Sequence, residues 1–152
     1  MKVKDVMTKE VKCCRPLDST QLAAKIMRTY DVGAVPVVSD LNTRRLEGIV
    51  TDRDLCCTVV AEASFSESVS VQEVMTPKPV MCKPEDSLEE CEHLMQKHRI
   101  RRIPVVDEAG CCVGIVTQAD MALHAPAVKV AKTMAVISKP RPVARRPHVA
   151  AA

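Results

Sequence analysis

The stretch Gly48-Ile-Val-Thr-Asp-Arg-Asp-Leu55 returns 66 residues later as Gly114-Ile-Val-Thr-Gln-Ala-Asp-Met121. In both copies a short apolar run is followed by Thr-x-x-Asp, a pattern typical of a buried strand that leads into a helix. A repeat of this kind indicates that a whole supersecondary unit is duplicated, so the sequence around it is expected to be duplicated as well.

Three further motifs recur, each at an offset of 68 residues. They are Val-Met-Thr at 6–8 and 74–76, Pro-x-Asp-Ser at 16–19 and 84–87, and Pro-Val-Val at 36–38 and 104–106. The change of offset from 68 to 66 indicates that a loop of the second copy has lost two residues. We therefore predict an α/β, or more strictly α+β, fold of two β-α-β-β-α repeats packed about a pseudo-twofold axis.

Local patterns predict the elements of each copy. In the first copy we expect strands at 11–14, 34–39 and 46–50, a helix that Asp18 caps and Gly33 ends, and a helix from Thr51 to about Ala63. In the second copy we expect strands at 80–82, 103–106 and 112–116, a helix capped by Asp86 and a helix from Thr117. The predicted organisation is repeat 1 at 1–64, a linker at 65–70, repeat 2 at 71–126, and at 127–152 a helix followed by a mobile basic tail.

Composition restricts the class of protein. The chain has 152 residues, of which 47% are hydrophobic, yet it contains one Tyr, one Phe and no Trp. The lack of aromatic residues weakens a nucleic-acid interpretation, because single-strand binders stack bases on aromatic rings. No apolar run is long enough to cross a bilayer and no secretory leader is evident, so we expect a soluble cytoplasmic protein with no membrane contact.

Charge is distributed unevenly along the chain. The net charge is +3, but six Lys and Arg and no acidic residue follow Met121, which leaves sixteen basic against nineteen acidic residues before it. Nucleic-acid binding through this basic tail is a third, weaker interpretation, since no folded basic face accompanies it.

The eight cysteines do not show a metal or haem spacing. Six of them stand in adjacent pairs, and neither C-x-x-C nor C-x-x-C-H occurs. We therefore expect free thiols, with one of each adjacent pair buried as a small hydrophobe, rather than a redox or metal role.

The two Thr-x-x-Asp motifs are the best candidates for a ligand site. A Thr hydroxyl at a helix start can donate to a phosphate oxygen, and an Asp one turn later can accept from the two hydroxyls of a ribose. The same motif is also a capping box, in which both side chains only satisfy backbone N–H groups, and the sequence leaves these two interpretations open.

Positive charge near the motifs differs between the copies. Arg53 lies inside the first motif and favours phosphate there, whereas the second motif has Gln118 and Ala119. Arg99, Arg101 and Arg102 could replace that charge, or could be a solvated helix end. No nucleophile with a His partner, phosphate-binding loop or dinucleotide fingerprint is present, so we do not expect an enzyme.

Taken together, the four motifs, in order and twice, resemble the CBS-domain family, in particular a stand-alone tandem CBS pair of the kind called a Bateman module. The resemblance covers residues 1 to about 125. It implies a homodimer formed through helices and a regulatory module that senses adenine nucleotides (AMP, ADP, ATP, or S-adenosylmethionine or NAD) in the clefts between repeats, with no cofactor required. We expect no attached enzyme or channel domain, so the regulated protein would be a separate, unknown partner.

The same resemblance implies the nucleotide-binding residues. In the first copy they are Thr51, Arg53, Asp54, Gly33, Ala34, Val35 and Pro36; in the second they are Thr117, Asp120, Arg101, Arg102, Ile103 and Pro104. The missing arginine in the second motif predicts unequal sites. The alternative is a structural, dimerisation or protein-interaction module whose clefts stay empty.

Overall fold

The computed structural model describes residues 1–140, and within them the duplicated motifs form two similar α+β units. In chain order the elements are α1 (Val3–Val6), α2 (Thr20–Tyr30), β1 (Ala34–Val38), β2 (Leu46–Thr51), α3 (Asp52–Asp54, continued by a π-helix over Leu55–Val60), α4 (Val71–Val74), β3 (Thr76–Pro77), α5 (Leu88–His98), β4 (Arg102–Val106), β5 (Cys112–Thr117), α6 (Gln118–His124) and α7 (Ala127–Ile137). The predicted hairpin strands, the helices after them and a helix at 127–137 are confirmed. The predicted tail lies almost wholly outside the described residues.

The two hairpins have the same register and form the centre of each unit. β1 pairs antiparallel with β2 from Ala34↔Thr51 to Val38↔Leu46, and β4 pairs with β5 from Arg102↔Thr117 to Val106↔Cys112, each with one irregularity near its end. Every residue of β1 is buried, because this strand is covered on both faces. The leading strands predicted at 11–14 and 80–82 are wrong in extent: each is a single parallel bridge, Cys14↔Val37 and Cys82↔Val105.

Both long helices begin one residue later than predicted. Ser19 and Ser87, not Asp18 and Asp86, are the N-caps, and their hydroxyls accept from Leu22 N and Glu90 N. The carboxylate of Asp18 instead accepts from the backbone N–H of Arg15 at 2.7 Å, which closes the preceding turn. A carboxylate that closes a turn cannot also cap the helix, so the adjacent serine takes that role.

Two predicted helix ends also differ. α2 ends at Tyr30, where Asp31 adopts a left-handed conformation (φ 52°), rather than at Gly33; Arg99 does the same after α5 (φ 50°). The helix that begins after Thr51 ends as a π-helix at Val60, short of the predicted Ala63.

The leading segment of each copy packs on the other copy. Lys2 bridges Ser87 and Thr8 bridges Ile115, while Ser70 bridges Ser19 and β3 pairs with β2 through Thr76↔Ile49. By the repeat offsets, the Lys2–Ser87 contact corresponds to Ser70–Ser19, and the Thr8–Ile115 contact corresponds to Thr76–Ile49, as a pseudo-twofold axis requires. Each sheet is therefore completed by a segment that precedes the other copy in sequence.

Glycine is required where these leading segments cross the sheets. A Cβ on Gly114 would lie 2.7 Å from Met7 Sδ and 2.9 Å from the carbonyl oxygen of Thr8. A Cβ on Gly48 would meet Met75 Sδ at 2.5 Å and Thr76 O at 3.0 Å. The repeated glycine thus permits close approach of a neighbouring backbone.

The apolar core has one cluster in each copy and a third between them. The larger clusters centre on Val35, Val37 and Val50 in the first copy and on Ile103, Val105 and Val116 in the second. The third cluster consists of Ala34, Ile49 and Ile115, with Val11 against it. Because Ile49 and Ile115 occupy equivalent positions, this third cluster lies at the seam between the two repeats.

α7 covers helices of the second copy. The Thr133 hydroxyl donates to Glu92 Oε1, and Gln96 Nε2 donates to the same hydroxyl at 2.7 Å. Glu92 is buried, so this network satisfies a carboxylate that would otherwise lack partners. Across residues 1–140, the helices are all too short or too polar to cross a membrane.

Candidate functional site

Both Thr-x-x-Asp motifs form capping boxes. Thr51 donates from its backbone N–H and its hydroxyl to Asp54 Oδ2, at 2.9 and 2.8 Å, and the Asp54 N–H donates back to Thr51 Oγ1 at 3.2 Å. In the second copy Thr117 donates to Asp120 Oδ2 at 2.7 and 2.8 Å. The capping interpretation of these motifs is therefore correct for this structure.

The boxes use only part of each carboxylate. All of the box hydrogen bonds to the carboxylates reach the Oδ2 atom, so the boxes do not use Oδ1 of Asp54 or Asp120. Both side chains are half-buried, so Oδ1 can accept from a bound hydroxyl without breaking the cap. Capping and ligand binding are thus compatible roles for the same aspartate.

A cleft of about 410 Å³ opens between the two copies next to the second box. Three parts of the chain form it: the segment after α1, the loop between α2 and β1, and the seam-facing residues of the second hairpin. Its lining consists of Thr8, residues 10–12, residues 30–34, Arg101, Arg102, Ile115 and residues 117–119.

The structure brings together five of the predicted site residues. Gly33, Ala34, Arg101, Arg102 and Thr117 line this cleft. The sequence grouped Gly33 and Ala34 with Thr51, and Ala34 is the cross-strand partner of Thr51; the cleft also brings Gly33 and Ala34 together with Thr117 of the other copy. This grouping follows from the seam, where the loop before β1 faces the end of β5.

The other predicted residues lie outside this lining. Val35 and Ile103 are fully buried in the two cores, and Pro36 and Pro104 are buried beside them, so their side chains do not face the cleft. Asp120 lies next to the lining residue Ala119. Thr51, Arg53 and Asp54 lie at the first helix start, and Arg53 is exposed there.

Arg102 reaches across the seam to the first copy. Its Nη1 lies 3.9 Å from Asp52 Oδ1, and a Cβ on Gly33 would lie 2.5 Å from Arg102 Nη2. The absence of a side chain at Gly33 therefore leaves the space that the guanidinium occupies.

This ion pair makes the two sides of the seam unequal. By the repeat offsets, Ala34 and Gln118 correspond to Arg102 and Asp52; Arg102 lines the cleft as well, whereas Asp52 does not. Where one pair of positions has a methyl group and a neutral amide, the equivalent pair has a cation and a carboxylate 3.9 Å apart. Arg53, which has no counterpart in the second motif and from which the sequence predicted unequal sites, does not line the cleft.

Sequence reasoning missed two lining residues with chemical consequence. Lys12 Nζ lies 5.3 Å from the centre of the Tyr30 ring, within the range of a cation–π contact. Their counterparts in the second copy are Val80 and His98, so comparison of the copies gave no signal for them. Lys12, Arg101 and Arg102 give the cleft lining three basic residues, against the two acidic residues Glu10 and Asp31.

A metal site is not evident in the described part of the chain. Among residues 1–140, no three His, Cys, Asp or Glu side chains are grouped so as to hold a metal ion.

Comparison with known proteins agrees with the duplicated fold. A family model described as the CBS domain matches the chain twice, at residues 3–60 and 71–134. Hypoxic response protein 1 of Mycobacterium tuberculosis is 31% identical over 141 residues, which are 93% of this chain and 96% of that protein.

Two similar solved structures contain adenosine compounds. CBSX2 in complex with AMP is 26% identical with a TM-score of 0.70, and the match covers 82% of this chain and 95% of CBSX2. The CBS domain pair of protein MJ0100, in complex with 5′-methylthioadenosine and S-adenosyl-L-methionine, is 28% identical with a TM-score of 0.72, covering 81% and 94%.

Proposed function

The chain belongs to the CBS-domain family, and we propose that it is a regulatory module that binds an adenine nucleotide of the AMP, ADP or ATP class in the cleft beside Thr117. The observation that carries the proposal is the cleft itself. Its volume of about 410 Å³ falls within the usual range of small-molecule sites, and both repeats contribute to it.

The charges of the cleft favour a ligand with a phosphate group. Lys12, Arg101 and Arg102 supply three cations against the two acidic residues Glu10 and Asp31. Arg101 and Arg102 can pair with phosphate through two parallel hydrogen bonds, and Arg102 also lies 3.9 Å from Asp52. For the ribose of the ligand, Asp120, which follows the lining residue Ala119, has its Oδ1 atom as an acceptor for the two hydroxyls, while its Oδ2 atom keeps the helix capped. The adenosine ligands of CBSX2 and of the MJ0100 pair support the same ligand class for this chain.

Isothermal titration of the purified protein with AMP, ADP, ATP and S-adenosylmethionine tests the proposal. A bound ligand at 100 times its Kd also adds about 2.7 kcal/mol of stability, which a thermal shift detects. We expect Asp120→Ala to weaken binding about tenfold or more, because a hydrogen bond to a charged group contributes about 1.5–3 kcal/mol. Absence of heat and of thermal shift at millimolar ligand would refute the proposal.

Asp54→Ala is the matched control. It removes the same type of capping box at a helix start of which residues 51–53 do not line the cleft, whereas Asp120 directly follows the lining residues 117–119; it should therefore lower stability by about 0.5–2 kcal/mol and leave the affinity of the cleft nearly unchanged. If Asp54→Ala weakens binding and Asp120→Ala does not, the ligand occupies the other side of the seam.

The capping boxes favour a second candidate function. Because Thr117 and Asp120 satisfy each other without a ligand, the module could act only as a structural or protein-interaction dimer with empty clefts. In that case Asp54→Ala and Asp120→Ala would both lower stability and no nucleotide would bind.

We propose further that the protein works without catalysis of its own, as a cytoplasmic homodimer acting on a separate protein. The supporting argument is that a sensor needs only a cleft whose occupancy changes the relation of its two halves. Size-exclusion chromatography with light scattering, with and without AMP, measures whether a dimer forms and whether the ligand alters it.

A further inference from the structure

Three side chains from both copies meet next to the cleft: Cys13, Arg44 and Cys112. Arg44, in the loop between β1 and β2, donates from Nη2 to Cys13 Sγ at 3.2 Å and to the carbonyl oxygen of Val11 at 2.6 Å. The Cys112 N–H donates to the Arg44 carbonyl oxygen at 2.8 Å, and the Cys112 thiol, which neighbours Cys13, donates to the Gly114 carbonyl oxygen at 3.6 Å. The contact therefore joins the first copy to strand β5 of the second.

Arg44 lacks an anionic partner. Its Nε is buried without a hydrogen bond, and within residues 1–140 none of the ion pairs includes this guanidinium. Burying a cation without a compensating anion is costly. Cys13 is the group in contact with Arg44 that can become an anion, so the site favours a thiolate at Cys13.

The two thiols have opposite environments. The hydrogen bond from Cys112, with the charge of Arg44, lowers the pKa of Cys13 from its ordinary value of 9.0 to about 7, although burial opposes this. The pKa of Cys112 is raised by the hydrogen bond to Cys13 and by burial. The adjacent Cys14 is buried and its pKa is raised to about 12, chiefly by that burial. Cys13 is only half-buried, so a small oxidant can reach it.

We propose that Cys13 is a peroxide-reactive thiol and that Cys112 resolves it into a disulfide that links the two repeats. The Cys13 thiolate attacks one peroxide oxygen and the O–O bond breaks. Cys13 becomes a sulfenic acid, and the hydroxide that leaves takes a proton to form water. The Cys112 sulfur then attacks the Cys13 sulfur, the S–O bond breaks, and a second water leaves with the Cys112 proton. Two thiols lose two electrons and hydrogen peroxide is reduced to two waters.

The chain contains its own comparison sites. Cys82 is also hydrogen-bonded to a thiol, that of Cys91, but both are buried in the core and the pKa of Cys82 is raised. Cys56 and Cys57 are exposed, and no hydrogen bond within the described chain joins either to a cation. The proposal therefore predicts selectivity for Cys13 over a neighbouring pair of buried thiols and over two more accessible thiols.

Peptide mass spectrometry of folded protein treated with stoichiometric hydrogen peroxide tests the linkage. We expect a Cys13–Cys112 peptide pair that separates on reduction, is lost in Cys13→Ser and in Cys112→Ser, and persists in the neighbouring control Cys111→Ser. A Cys82–Cys91 link, earlier oxidation at Cys56 or Cys57, or Cys13 carried to sulfinic acid with no link would overturn the proposal. Circular dichroism of each variant shows that it is folded.

Alkylation of Cys13 as a function of pH tests the role of Arg44. The groups that face Cys13 are Arg44, Cys112 and Cys14, and we expect a reactivity midpoint near pH 7. A pKa lower by two raises the thiolate fraction at pH 6 about 100-fold, and the lower nucleophilicity returns about tenfold of that. Because Cys112 also lowers the pKa of Cys13, Arg44→Gln should raise the midpoint only part of the way towards 9.0 and slow the reaction at pH 6 by less than about tenfold, whereas Arg45→Gln should do neither. An unchanged midpoint in Arg44→Gln would overturn the assignment.

Discussion

Replacing Gly114 by Ala should loosen the leading segment from the second sheet. The new Cβ would lie 2.9 Å from the Thr8 carbonyl oxygen and 2.7 Å from Met7 Sδ. The methionine side chain can rotate away, but the Thr8 carbonyl is backbone and accepts from Ile115 N at 3.1 Å, while Thr8 N donates to Ile115 O at 2.9 Å. Residue 8 must therefore move, and both hydrogen bonds lengthen.

The expected cost follows from those two bonds. Each backbone hydrogen bond contributes about 1 kcal/mol net, and replacing glycine by alanine within a strand returns about 0.5–1 kcal/mol of backbone entropy. We expect a net loss of about 1–1.5 kcal/mol in the free energy of unfolding. For a chain of this length that lowers Tm by roughly 3–5 °C.

Urea denaturation followed by circular dichroism measures the loss, and hydrogen exchange locates it. The Thr8 and Ile115 amides should exchange faster in Gly114→Ala. Gly48→Ala should behave alike, because its Cβ meets Thr76 O at 3.0 Å. Gly110→Ala is the control: its φ of +80° makes it strained, but its Cβ meets nothing within 4 Å, so exchange at Thr8 should not change. A loss below about 0.5 kcal/mol in Gly114→Ala, or unchanged exchange at Thr8, would refute the reasoning.

Two other predictions concern polar contacts that hold the ends of the fold. Thr133→Val removes the hydroxyl between Glu92 and Gln96 and should lower the free energy of unfolding, measured by urea denaturation, by about 1–3 kcal/mol. The control Thr29→Val, at an exposed position, should change it by no more than about 0.5 kcal/mol. Equal effects of the two substitutions would contradict the role of the network. The pKa of Glu85 is lowered to about 2 by hydrogen bonds from Lys2 and then Lys4. A lowered pKa in the folded state means that this stabilisation is complete above the ordinary value of 4.5 and is lost as pH falls towards 2, so Glu85→Gln should flatten the fall of the urea midpoint between pH 5 and pH 2. A slope identical to that of the unmodified protein would count against the contact.

Local sequence was sufficient for the hairpins and the helices that follow them. The runs before Val38 and Thr51 are apolar and bounded by turn residues, so pattern alone fixes their type. The helix starts were displaced by one residue because Asp18 and Ser19 are both competent caps, and only the geometry of the turn at Arg15 decides between them.

Local sequence patterns did not predict that each leading segment packs on the other copy. Thr8 and Thr76 have equivalent neighbours and could complete either sheet, so the choice depends on the path of the chain in space. For the same reason the sequence did not show that Gly33 and Ala34 also meet Thr117 of the other copy at the cleft. Lys12 and Tyr30 went unnoticed because they are not repeated, which shows that comparing copies finds shared architecture better than it finds asymmetric function.

The exchanged segments also bear on how such a chain can arise. A single ancestral copy would carry a leading segment that pairs with the sheet of another copy and not with its own. Its fold would therefore be complete only in a dimer in which the two chains exchange these segments. Duplication and fusion would turn this exchange of segments between two chains into contacts within a single chain. Cutting the present chain between its copies should therefore give two halves that complement each other, neither of which folds alone.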